Sequence, residues 1–215
     1  LNLLVAVALG VMLAEPSFAG APEGKKAFEA KNCGTCHQIK GPAKEKTIKD
    51  VLAKKGPELW YAGSKLKPEF LEAWLKDPRA IRPMEYYSLT KVNDGSHAKL
   101  SATEALDVTK YLMTLKSDDV KDAGLKAQDN PRGRVVFLKK QACYGCHLVK
   151  ERANTAGGVT GPTLIGAGQR LKADWIYAYL ANPRVFKPVK DMPVYKGILT
   201  DEEMKAVAEY VANLK

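Results

Sequence analysis

The residues most able to do chemistry in this chain are gathered into one short pattern used twice. Positions 33–37 read C-G-T-C-H and positions 143–147 read C-Y-G-C-H. The chain holds 4 cysteines and 3 histidines, so every cysteine, and every histidine except His97, falls inside the two copies. In a helical turn, residues three and four apart share a face. Cys33 and Cys36, and likewise Cys143 and Cys146, therefore present two thiols side by side, with His37 or His147 beside the second. Two thiols at that spacing suit covalent bonds to the two vinyl groups of one haem, and the adjoining imidazole suits its iron. Each copy is expected to hold one haem c.

Other uses of the same residues fit less well. A structural zinc site draws on paired C-x-x-C motifs, but here the pairs lie far apart and each carries an adjoining His. A thioredoxin-like redox pair sits at a strand-to-helix junction of a βαβ unit, a pattern this sequence lacks. Structural disulfides would leave both histidines without a role.

An iron held by His needs a sixth ligand or an open position. After each motif comes an irregular, proline-rich loop, D-P-R-A-I-R-P-M-E-Y-Y and N-P-R-V-F-K-P-V-K-D-M-P-V-Y, with one methionine at a corresponding place. Met84 and Met192 are the expected distal ligands, because a thioether opposite His raises the potential and suits electron transfer. Met192 is followed by Pro193, whereas Met84 is followed by Glu85, and His97 in N-D-G-S-H-A is the competitor there. Met12 falls in the apolar N-terminal stretch, Met113 in a C-terminal helix, and Met204 on a buried helical stripe, where core packing is its role.

These loops and motifs belong to a repeat of about a hundred residues. G-K-K-A-F-E-A-K-N-C precedes the first pattern and G-R-V-V-F-L-K-K-Q-A-C the second. Each opens with Gly, places Phe four residues on (Phe28, Phe137), and runs helically into the first Cys. Later, Gly56, Pro57, Leu59, Gly63 and Leu66 fall on Gly161, Pro162, Leu164, Gly168 and Leu171 at one constant offset. S-A-T-E and T-D-E-E then open a last helix in each half as capping boxes. Ala105, Val108, Leu112 and Leu115 form one apolar stripe, and Met204, Val207, Val211 and Leu214 the other. The polar stretch between the halves, closing at Pro131, reads as a linker. The expected organisation is all-α: a first domain over 20–117, a linker over 118–130 and a second domain over 131–215. Units this small have little core of their own, which a large apolar cofactor would complete.

The N-terminal L-N-L-L-V-A-V-A-L-G-V-M-L-A is apolar but too short to span a bilayer. With Ser17 and Ala19 after it, residues 1–19 read as the apolar core and cleavage site of a secretory signal, although no basic segment precedes it. A hydrophobic anchor or core helix is the alternative. An exported, periplasmic protein, soluble or peripheral on the membrane, is expected. The net charge is +10, which points to acidic partner proteins or an anionic membrane surface. Nucleic acid is not expected, since the lysines are scattered and no recognition motif accompanies them.

In combination these motifs resemble a dihaem class I cytochrome c, two cytochrome domains in tandem, over nearly all of the chain beyond residue 19. The resemblance implies His37 and His147 as proximal ligands and Met84 and Met192 as distal ones. It implies that the carbonyls of Pro57 and Pro162 receive the proximal histidines' other N–H, which fixes each ring. It places Phe28 and Phe137 where first and last helices cross, with Tyr111 and Tyr210 opposite. An insertion before Pro57, A-K-E-K-T-I-K-D-V-L-A-K-K, departs from the pattern and adds positive charge. Trp60, Trp74, Trp175 and Tyr179 are expected at the haem pockets or in plain core packing. Arg79 and Arg184 are candidates for the propionates or for solvated surface.

The function expected is single-electron transfer between redox partners, without catalysis, through two His/Met haems. One alternative keeps the haems and makes the chain a subunit of a membrane-bound respiratory complex. Another is a small haem enzyme with an open first haem, for which no spare Cys or placed His/Glu pair is evident.

Overall fold

A computed structural model describes residues 20–82, 84, 88, 90–151, 154–189 and 192–215. The expected signal segment, 1–19, lies outside the described residues, as do Pro83, Glu85 and Asp191 of the methionine loops. The first half runs through α1 (Ala21–Ala30), a 3-10 turn (Cys33–Thr35), α2 (Ile48–Leu52), α3 (Ala62–Lys65), α4 (Pro68–Lys76) and α5 (Ala102–Thr114). The second runs through α6 (Pro131–Val135), a π turn (Val136–Lys140), a 3-10 turn (Cys143–Gly145), α7 (Ala167–Arg170), α8 (Ala173–Ala181), a 3-10 turn (Pro183–Val185) and α9 (Asp201–Val211). The architecture is all-α, built twice. A hairpin of β1 (Val149–Glu151) and β2 (Asn154–Ala156) is its sheet structure among the described residues. Sequence reasoning missed this hairpin. It buries Val149 and is followed by Gly157, whose φ of +114° a side chain would resist.

Each half is organised by the crossing of its first and last helices. Gly24 and Gly133 stand at the crossings, where a Cβ would lie 1.9 Å from the Asp107 carbonyl oxygen and 2.0 Å from that of Ala206. Only a residue without a side chain lets the helices come so close. One turn on, Phe28 meets Tyr111 edge-on at 5.6 Å and Phe137 meets Tyr210 at 5.5 Å, within the range of favourable aromatic pairs. The closing helices start at the expected capping boxes. Ser101 Oγ accepts from Glu104 N while Glu104 Oε2 accepts from Ser101 N, and Thr200 and Glu203 do the same. Ala105, Val108 and Leu112 of one stripe, and Met204, Val207 and Val211 of the other, are buried.

The second copy carries one more residue between its glycine and its first Cys than the first copy does. The π turn takes it up: Gln141 N donates to Val136 O five residues back, at 2.9 Å. A single π turn widens a helix by one residue without ending it. Both copies then reach the first Cys through a left-handed residue, Asn32 at φ 53° and Ala142 at φ 45°.

The halves dock through equivalent residues. Leu66 and Leu171 form an antiparallel bridge. Lys67 N donates to Arg170 O and Lys172 N to Lys65 O, both at 2.9 Å. The Lys67 ammonium reaches Gly168 O at 2.6 Å and that of Lys172 reaches Gly63 O at 2.7 Å. A surface that pairs with its own counterpart is the geometry of a two-fold contact, here within one chain. Tyr61 lies parallel to Trp175 at 6.3 Å and edge-on to Phe186 at 5.0 Å, so Trp60 and Tyr61 of the first half join the second core. The linker is strapped to the second half as well. Asp174 accepts from Ala123 N and Leu125 N, and Val120 and Leu125 pack on the second core.

Gly133→Val is expected to lower the unfolding free energy by about 2–3 kcal/mol, the cost of forcing a branched side chain into a closed contact. Denaturant unfolding followed by circular dichroism checks this; an unchanged midpoint would mean that α6 and α9 can separate without loss.

Candidate haem sites

Each C-x-x-C-H motif closes as a tight turn, with His37 N donating to Cys33 O and His147 N to Cys143 O, both at 3.1 Å. None of the four cysteines is paired in a disulfide. Burial raises the pKa of Cys33 and Cys143, and a hydrogen bond from Tyr195 partly opposes this at Cys143. The imidazoles are fixed by the G-P segments. His37 Nδ1–H donates to Pro57 O and His147 Nδ1–H to Pro162 O, both at 2.8 Å. That bond selects the tautomer and leaves Nε2 as the ligating nitrogen. Burial lowers the pKa of both histidines, partly offset by the same bonds, and favours the neutral ring that a metal requires.

The preceding glycines make the approach possible. A Cβ at Gly56 would stand 2.8 Å from His37 Cε1, and at Gly161 2.7 Å from His147 Cε1. The loops are then tied to the chain just beyond the motif, Leu59 N to Gln38 O at 2.8 Å and Leu164 N to Leu148 O at 2.9 Å. The same arrangement thus occurs twice, from residues a hundred positions apart.

Cys33, Cys36 and His37 border a cavity of about 1060 Å³ walled by Leu59, Phe70, Leu71, Leu75, Val108 and Leu112. Its size and apolar wall suit a large flat apolar group. Lys65, Arg79 and Arg82 also line it, with Arg170 from the second half, as a group with acidic substituents would need. Two buried indole N–H groups, of Trp60 and Trp175, have no hydrogen-bond partner among the described residues. The residues present therefore fit a haem: the thiols to attach it, the imidazoles to hold iron, the cations to meet its carboxylates. Among the described residues, no three His, Cys, Asp or Glu side chains converge as a structural zinc would require.

The other expected residues are distributed unevenly. Trp74 lines the cavity, its Nε1 donating to Arg79 O at 2.9 Å. Trp60 and Trp175 lie instead in the core between the halves, and Tyr179 stacks on Trp175 at 4.9 Å. Arg79 lines the cavity while its guanidinium holds Asp77 at 2.8 Å, and Arg184 is exposed. Met192 is half-buried against the second core, on which Cys143 also packs. Met84 is half-buried in an isolated antiparallel bridge to Val92 and is not among the cavity-lining residues; His97 is.

Sequence reasoning missed a buried ionic cluster beside the first site. Glu58, next to Pro57, is gripped by Lys54 and by Lys187 of the second half, and Lys54 also holds buried Glu45. Burial drives the Glu58 carboxyl up, but the Lys187 charge and the two lysine hydrogen bonds prevail and hold it at about 2. The insertion before Pro57 supplies Glu45 and Lys54, so part of its charge is built into the site, while Lys44, Lys46, Lys49 and Lys55 are exposed. Burial and the neighbouring Lys187 charge pull Lys65 down to about 7. Lys65 and Arg170 stand at matching places in the repeat, the one signal that could have found them.

The duplicated thiol–imidazole–proline arrangement defines an all-helical protein built twice around a c-type haem motif. A family model described as Cytochrome c matches residues 21–116 and 131–215, and the chain belongs to that family, whose members bind haem c and transfer electrons. The chain is also 30% identical over 106 residues to cytochrome c oxidase subunit 2 of Bacillus subtilis (strain 168), a match covering 46% of this chain and 27% of that protein. This chain thus spans about a quarter of that relative. No helix among the described residues is long and apolar enough to cross a membrane.

Lys187→Met leaves Glu58 with less compensation and is expected to cost on the order of 3 kcal/mol at neutral pH. Because the folded carboxyl is held low, its contribution is complete above the ordinary carboxylate range. It is lost as pH falls through that range toward about 2. The stability gap between parent and variant, measured by unfolding at several pH values, should therefore shrink on acidification. A gap that is constant with pH would assign the loss to packing alone.

Proposed function

We propose that this chain is a dihaem electron carrier, each half holding one haem c through Cys33, Cys36 and His37 or Cys143, Cys146 and His147. The observation that carries this reading is the duplicated bond from each motif histidine to a prolyl carbonyl at 2.8 Å, with a glycine making room for the ring. A haem bound there supplies one-electron redox chemistry. The residues of the chain do the rest. His37 and His147, held by Pro57 and Pro162, present Nε2 to the iron. Met192 is the distal donor in the second half; in the first, the loop after α4 offers Met84 and His97. The apolar walls exclude water, and Lys65 and Arg170 stand ready for the propionates.

No substrate is converted. One electron enters at one haem and leaves from the other, between two one-electron partners on the exported, periplasmic side. The net charge of +10 favours acidic partner surfaces, with a docking rate that falls as salt rises. The likeness to an oxidase subunit favours a second reading, in which the chain works docked on a membrane respiratory complex as an electron-relay subunit.

Haem staining after denaturation, with mass and pyridine haemochrome measurements, tests the reading on protein matured with its haem-attachment machinery. Two covalent haems per chain are expected. Cys33→Ser with Cys36→Ser, or Cys143→Ser with Cys146→Ser, should each leave one. Retention of fewer than two by the parent would refute the dihaem reading.

A further inference from the structure

The second axial donor of the first haem is the point at which the two halves differ. His37 is fixed by Pro57, so its Nε2 faces forward into the cavity. His97 lines the same cavity, its ring centroid 6.0 Å from that of His37 and inclined at 50°. Two imidazoles on opposite faces of one metal, each with a bond of about 2.0–2.1 Å and a ring centre about 1.1 Å behind the nitrogen, lie about 6.2 Å apart. The observed separation matches that span.

His97 is also held in place. Asn93 Nδ2 donates to Arg82 O at 3.1 Å and Asn93 Oδ1 accepts from Gly95 N at 3.0 Å, fixing the turn before it. Gly95, at φ +79°, sits against Ala80, where a Cβ would stand 3.0 Å from the backbone nitrogen. After it, Leu100 N donates to Leu75 O at 3.0 Å and the Leu100 side chain enters the core. The ring packs on Trp74 at 4.7 Å, and its Nδ1 lies 3.0 Å from Ala98 O, an interaction that assigns Nδ1–H as donor and Nε2 as the ligating nitrogen. His37 and His97 thus share one design: Nδ1–H tied to a backbone carbonyl, ring braced, Nε2 available.

Resting on the dihaem reading above, we propose that His97, and not Met84, is the second axial ligand of the first haem. Met84, whose backbone pairs with Val92, is not among the residues lining the cavity, although Arg82 and Ser88 on either side of it are. The second half has no counterpart to His97, since its only histidine is His147, and there Met192 remains the donor. The chain is then asymmetric by ligand: His/His first, His/Met second. A thioether raises a haem's potential relative to a second imidazole. With haems bound, that difference would favour an electron from a one-electron donor residing on the second half, held by His147 and Met192, over the first, held by His37 and His97. The direction of flow, first half to second, is written into the axial ligands.

The test uses the fully loaded chain, first checked to hold two covalent haems; fewer than two would defeat the dihaem reading before any question of ligands. In the ferric protein, the far-red band given by methionine sulfur should have the intensity of one thioether-ligated haem per chain. Near-infrared magnetic circular dichroism and EPR should show one bis-imidazole and one imidazole–thioether centre. Met192→Ala should abolish the far-red band, while Met84→Ala should leave it and the EPR signals unmoved. His97→Ala should remove the bis-imidazole signal. Two thioether equivalents in the parent, halved by Met84→Ala, would overturn the proposal. So would a high-spin first haem in the parent. Two thioether equivalents, or a high-spin first haem, are each read on the unmutated protein and each suffices alone, so a variant that fails to fold does not protect the idea.

Discussion

Everything at the centre of each half depends on one hydrogen bond, from a motif histidine to the carbonyl of a proline well along the chain. Proline has no N–H to offer, so its carbonyl is the backbone group left to engage the ring. The glycine before it removes the atom that would otherwise strike the imidazole at under 3 Å. The bond chooses the tautomer, aims Nε2 and ties the C-x-x-C-H turn to the loop that walls the site. The glycine crossings of α1 with α5 and of α6 with α9 set the frame in which that loop closes. A ring free to rotate would lose its preorganisation as a ligand.

Duplication couples one site to the other. The halves meet through equivalent residues about Leu66 and Leu171, each lysine of the pair Lys67 and Lys172 reaching a carbonyl of the other half. Tyr61, Trp175 and Phe186 fill the seam, and Glu58 with Lys187 pins it beside the proximal loop of the first site. Because Glu58 follows Pro57 directly, the inter-half ion pair and the proximal hydrogen bond share one stretch of backbone. Separation of the halves would therefore be felt at the His37–Pro57 bond. Arg170 of the second half lines the first cavity, so the two sites are not independent.

Much of this was legible in the sequence because it rests on local chemistry. The spacing of Cys33, Cys36 and His37 encodes a turn, Ser101 and Glu104 encode a helix start, and Gly24 with Phe28 encodes a crossing. The contacts between halves were not legible. Trp60, Tyr61 and Trp175 announce burial but not their partner, since an aromatic side chain packs equally well on a haem or on a second domain. Glu58, Lys54 and Lys187 read as surface charge, and only the fold brings them together in a dry place. The π turn at Val136–Lys140 could have been read from the one extra residue before Cys143, had the two copies been compared for length as well as residue type. The strapping of the linker by Asp174 had no signal, for hydrogen bonds to backbone N–H leave no trace in side-chain patterning.

On the proposed function, each half would carry one reversible one-electron centre closed to outside ligands. A spectroelectrochemical titration of the loaded protein, run with and without carbon monoxide, addresses that directly. Two one-electron steps are predicted, each carrying about half of the absorbance change of the haem bands, at potentials that carbon monoxide does not move. A single step carrying the whole change of one haem, or a wave displaced by carbon monoxide, would contradict it.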